Sequence, residues 1–137
     1  MATVKQAVIK NTRQLALCNK GASTVLVNGE ILMQTAGLAV PATSSTVKAD
    51  LLGVCNQTIA AVEALTQVPY IVVNEADLFI FATTNNTNTA HNGQAMVLTN
   101  SLEVNNTGTT SGTGIVQQVD TIGATGDKLI IGRFLTL

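Results

Sequence analysis

Two apolar runs separated by four polar residues set the tightest limit on what this chain can fold into. Tyr70-Ile71-Val72-Val73 and Leu78-Phe79-Ile80-Phe81 are short and rich in β-branched and aromatic side chains. Asn74-Glu75-Ala76-Asp77 between them is turn chemistry. The pattern predicts neighbouring strands buried on both faces, or nearly so. The chain has only three Phe and one Tyr, and three of these four aromatics fall here, so this stretch is predicted to be the centre of the core.

The rest of the chain reads as short strands punctuated by turns. Residues 3–10 alternate loosely and suit a first strand or an extended arm. Residues 14–18 form a second apolar run, closed by Asn19-Lys20-Gly21. Thr24-Val25-Leu26-Val27 precedes Asn28-Gly29, a strong hairpin signal, and Glu30-Ile31-Leu32-Met33-Gln34 reads as the return strand. Residues 37–41 are another extended piece, and Pro41 places its end at an edge.

Residues 47–65 are ambiguous. Val47, Leu51, Val54, Cys55, Ile59, Val62 and Leu65 can share one helical face, but Gly53 and the β-branched residues favour two strands, 51–55 and 58–65. Residues 83–93 and 105–114 are Asn-, Thr- and Gly-rich and read as long exposed loops. A hairpin is predicted around Thr99-Asn100-Ser101, and strands at 115–119 and 128–135. About ten short strands without βαβ alternation indicate an all-β fold, a small β-barrel or β-sandwich of antiparallel strands, with room for one short helix.

At 137 residues the chain suits a single β-rich domain over 14–137, preceded by the arm or first strand at 1–13. Charged residues make up 11%, about half the usual share. So low a charge suits a surface covered by copies of the chain or by a partner, and equally a monomer solvated by Thr and Asn. The charges are segregated: Lys5, Lys10, Arg13, Lys20 and Lys48 face a single Glu30 in the first part, and 49–127 contain no Lys or Arg. The net charge of −1 and the scarcity of stacking aromatics disfavour nucleic acid. No run approaches the ~18 apolar residues of a membrane span. The first residues lack the pattern of a secretory leader, so synthesis in the cytoplasm is expected.

Catalytic and metal chemistry find little support. His91 is the sole histidine and lies among Asn and Thr, where a solvated role is expected. Glu75 and Asp77 could be cast as paired carboxylates, but a polar turn accounts for them. Gly108-Thr109-Thr110-Ser111-Gly112-Thr113-Gly114 lacks the lysine of a phosphate-binding loop. Cys18 and Cys55 are too far apart for a CxxC pair and read as buried free thiols. Asn-x-Thr triplets at Asn56, Asn85 and Asn105 are treated as chance. No cofactor and no metal are expected, and the chain is read as not an enzyme.

The succession Gly29-Glu30-Ile31-Leu32, Gly37-Leu38-Ala39-Val40-Pro41-Ala42-Thr43, Leu51-Leu52-Gly53-Val54, then the Val-rich strand ending at Asp77 with Phe79 and Ala82, resembles the capsid decoration (cement, or head auxiliary) proteins of tailed bacteriophages. Asp127-Lys128-Leu129-Ile130-Ile131-Gly132-Arg133-Phe134 has the same character. The resemblance runs from about Gly29 onward. It implies a non-enzymatic virion protein on the outer capsid surface, a homo-oligomer (trimer favoured over dimer) that bridges major capsid protein subunits. The N-terminal segment is the candidate arm, with Val4, Lys5, Val8, Lys10 and Arg13 as capsid-contact residues. A receptor- or glycan-binding β-module of a virion fibre is the alternative, resting on the two Asn/Thr loops.

Overall fold

The two apolar runs do form strands, but in different sheets. A computed structural model describes residues 5–6, 14–21, 24–60, 67–107 and 114–135. Its strands are β1 (Lys5–Gln6), β2 (Gln14–Asn19), β3 (Ile31–Thr35), β4 (Leu38–Pro41), β5 (Leu51–Cys55), β6 (Gln67–Val72), β7 (Phe79–Thr83), β8 (Ala95–Met96), β9 (Leu98–Asn100), β10 (Glu103–Val104), β11 (Val116–Ile122) and β12 (Leu129–Phe134). The described residues contain no α-helix, only short 3-10 turns at Lys48–Asp50, Thr89–His91 and Thr125–Asp127. The fold is all-β: an antiparallel five-stranded sheet and a nearly closed barrel-like sheet.

The five-stranded sheet has the order β2-β6-β5-β3-β4. Both its faces are apolar, which accounts for the unbroken runs in its strands. Ile31, Val54 and Ile71 face the main core, whereas Leu32, Cys55 and Val68 face a smaller cluster with Leu26, Ala39 and Ile59. The sheet curls around that cluster until its edges touch, where Lys20 bridges Ala39 and Gly21 N–H donates to the Ala39 carbonyl at 3.0 Å. Cys18 pairs with Val68 and Cys55 with Tyr70, so β6 lies between the two cysteines. Two strand spacings, about 10 Å, exceed disulfide reach. Both thiols are free.

The second sheet runs β8-β11-β12-β7-β10-β9, with β1 also on β7. Its terminal strands β8 and β9 are separated in the chain by Val97 alone, and this continuity curls the sheet toward closure. The first half of this segment bonds to β11 and the second to β10. Phe79, Phe81 and Phe134 fill the interior in edge-on contact, with Phe134 5.3 Å from Phe79 and 5.1 Å from Phe81. The prediction of a core centre at Phe79 and Phe81 therefore stands, while Tyr70 packs against the smaller cluster. One edge of β7 is taken by β12, and the other is shared between β1 at Phe79 and Ile80 and β10 at Ala82 and Thr83.

Several expectations need correction. The turn at 74–77 carries the chain from one sheet to the other, so β6 and β7 are not paired neighbours. Asn28-Gly29 does form a turn, with Glu30 N–H donating to the Val27 carbonyl at 3.0 Å, but its arms do not zip up. Gly29 has φ 91° while Asn28 is not in the positive-φ region. A turn with one positive φ, at its second central residue, splays the flanking strands. Leu26 instead bridges Ile59.

The tight hairpin is the next one, β3–β4, where Ala36 (φ 51°) and Gly37 (φ 80°) both adopt the left-handed conformation. Residues 51–55 are a strand, as favoured over a helix. The predicted second strand is reduced to the single bridge at Ile59, with 61–66 outside the described residues. The predicted hairpin forms as β9–β10, but its turn lies at Ser101 and Leu102, with Thr99 and Asn100 in β9, and Pro41 ends the edge strand β4.

Candidate functional surface

Exposed aliphatic side chains concentrate on the five-stranded sheet and the segment beside it. Leu15 and Leu17 are 53% and 61% exposed on β2, an edge strand. They lie on the pleat opposite Cys18, which packs toward the small cluster. Val25 and Val27 are exposed on either side of buried Leu26, and Leu38 and Val47 are exposed as well. The apolar run 14–18 does not by itself mark Leu15 and Leu17 as surface residues. Their signal was the alternation within Gln14-Leu15-Ala16-Leu17-Cys18, which leaves both leucines on one side of the strand.

Of the residues expected to touch a capsid, Lys5 lies in β1, opposite Ile80 of this chain's own barrel. Val4, Val8, Lys10 and Arg13 fall outside the described residues.

A cleft of about 510 Å³ opens between the 74–77 turn and the β11–β12 hairpin, with Glu75, Leu78, Gln117, Val119 and Arg133 in its lining. Arg133 Nε donates to Gln117 Oε1 at 2.6 Å, and Gln117 Nε2 donates to the Gly93 carbonyl at 3.0 Å. One cation and one anion with apolar walls make a polar recess without a nucleophile–base pair.

The segment 83–93 is largely exposed, as expected, but it is tied down by hydrogen bonds. Thr83 and Thr87 are buried, as is Asn106 from the following polar stretch. Asn106 Oδ1 accepts from Asn85 N–H at 2.8 Å, and its Nδ2 donates to the carbonyls of Asn85 and Asn86. Asn85 Nδ2 donates to Thr107 Oγ1 at 2.8 Å, and the hydroxyls of Thr84 and Thr99 are hydrogen-bonded to each other. Here Asn106 serves to satisfy backbone groups of the first loop, while 108–113 of the second lie outside the described residues. That use leaves fewer groups for a sugar.

The reactive groups are scattered. Asp77 is buried and Glu75 exposed, so they do not face a common space. Burial pushes the thiols of Cys18 and Cys55 above the ordinary value, and the Glu30 carboxylate adds to the rise at Cys55. Burial, with the Cys18 thiol beside it, likewise raises Tyr70. Neutral thiols are poor nucleophiles. Among the described residues no three of His, Cys, Asp and Glu gather as a metal site would require, and no helix is long and apolar enough to cross a membrane. Compared with models of known families and with curated proteins, the chain matches none.

Proposed function

We propose that this chain is a non-enzymatic structural protein of a bacteriophage virion, which binds the outer capsid surface as a homo-oligomer and bridges major capsid subunits. The observation that carries the reading is the pair Leu15 and Leu17, each more than half exposed on an edge strand of an otherwise well-packed sheet. Away from the Lys20–Ala39 bridge, where this edge meets β4, an edge strand offers main-chain groups to an incoming strand, and two leucines on one pleat add apolar contact. A rigid two-sheet body with such an edge suits a clamp. Weak contacts repeated over a shell stabilise it strongly, because every bound copy favours the decorated form by mass action.

The test is thermal melting of capsids assembled with and without the protein, paired with cosedimentation. Decorated shells are expected to melt at higher temperature and to pellet the protein. Identical melting curves would refute the cement role.

A further inference from the structure

Three polar side-chain atoms around the 87–93 loop are buried yet have no hydrogen-bond partner among the described residues: Thr87 Oγ1, His91 Nδ1 and Gln118 Oε1. All three residues adjoin Asn88. The Asn88 carbonyl, next to Thr87 in the chain, accepts from both Gln118 Nε2 at 2.9 Å and the backbone N–H of His91 at 3.1 Å. Gln118 Nε2 also donates to Asn92 Oδ1 at 2.9 Å, and the Gln118 carbonyl accepts from Gly93 N–H at 2.7 Å. The Gln118 amide is fixed in orientation, since a flip would set Oε1 against the Asn88 carbonyl oxygen. Its orphaned oxygen is therefore a demand of the fold.

Leaving three buried polar atoms unpaired in one loop is unfavourable, and native structures satisfy such groups with protein or with ordered solvent. We infer that the base of this loop is a binding site for one internal water molecule, held by Gln118 Oε1, His91 Nδ1 and Thr87 Oγ1. The donor and acceptor pattern matches. Water donates one proton to Gln118 Oε1, which can only accept, and the other to His91 Nδ1 with the imidazole proton on Nε2. Its oxygen accepts from the Thr87 hydroxyl. That makes three hydrogen bonds, the usual complement of a buried water. A hard cation would instead want oxygen ligands throughout, and the imidazole nitrogen is a poor fit. The water would brace a long polar loop onto β11, and this inference does not depend on the function proposed above.

Water–protein cross-relaxation in the isotope-labelled full-length chain tests it. Cross-peaks of the sign given by a long-lived water are expected at the Gln118 side-chain amide and at the Thr87 side chain. They should be lost at Gln118 in Thr87→Val, and retained in Thr87→Ser, which keeps the hydroxyl. Absence of these peaks in the unsubstituted protein would overturn the assignment. So would their persistence at Gln118 in a folded Thr87→Val variant, or their loss when potassium replaces sodium in the buffer.

Discussion

Ala36 stands at φ 51°, a conformation that costs an L-residue with a Cβ about 1 kcal/mol or more. The two-residue turn needs it there, because the turns that match the twist of β3 and β4 place positive φ at the first central residue. Asn tolerates this region better, so Ala36→Asn should stabilise the protein by roughly 0.5–1 kcal/mol, read as a higher midpoint in urea. Cys55 gives a second residue-scale prediction. Its thiol titrates above the ordinary value in the folded state, mainly through burial. Above about pH 8.5 the unfolded chain therefore loses that proton first, and the folded state binds more protons. The stabilisation is complete below that pH and is lost as pH rises through the folded value. Denaturation midpoints measured from pH 7 to 10 should fall, and fall less steeply in Cys55→Ala. Cys18 and Tyr70 are raised too and keep a residual slope in that variant.

Within the five-stranded sheet, Gly53 of β5 leaves no room for a side chain against β6. A Cβ there would lie 2.0 Å from the Ile71 carbonyl oxygen, and backbone cannot swing aside as a side chain can. Gly53→Ala should cost about 3 kcal/mol or prevent folding, by overpacking. Gly126→Ala meets nothing within 4 Å and should shift stability by no more than about 0.5 kcal/mol. Thermal melts of the two variants make the comparison. Gly53 also shows how much could be read from the chain. It argues against a helix, and the strand is found, as are β3, β4, β7, β10, β11 and β12 at their apolar runs. Sheet membership was not legible, because runs buried on both faces do not say which strand lies alongside. The Asn28-Gly29 hairpin misled because the dipeptide does not fix the sign of φ at Asn28. The leucines of the candidate surface were visible as alternation, but exposure depends on which strand ends up at an edge. The exposure of 83–93 was legible, but its anchoring was not, because the hydrogen bonds from Asn106 and Gln118 come from distant sequence.

The two sheets are joined by a polar seam as well as by their shared core. Glu30, buried at the start of β3, accepts from Ser101 Oγ at 2.5 Å and from Val27 N–H at 3.0 Å, while Ile31 N–H donates to the Ser101 carbonyl at 2.9 Å. Ser101→Ala would strand one oxygen of a buried carboxylate and should lower stability by about 1–3 kcal/mol in urea titrations. Assembly makes the opposite demand, a surface whose change leaves the fold alone. Leu15 and Leu17 meet that demand: they are more than half exposed, so lysine at both positions should leave the circular dichroism spectrum and melting temperature of the separate protein nearly unchanged. If these leucines are covered in the assembled state, each contributes up to roughly 1.5–3 kcal/mol of apolar burial there. Their joint replacement should then weaken self-association or capsid binding by at least about tenfold, since 1.4 kcal/mol is a factor of ten. Light scattering reads the first and cosedimentation the second. Val119→Lys, on the bulge of β11 and 42% exposed, serves as the matched substitution on the barrel. Weaker association in the double leucine variant alone places the contact on β2; the reverse result moves it to the barrel and removes the edge strand from the clamp.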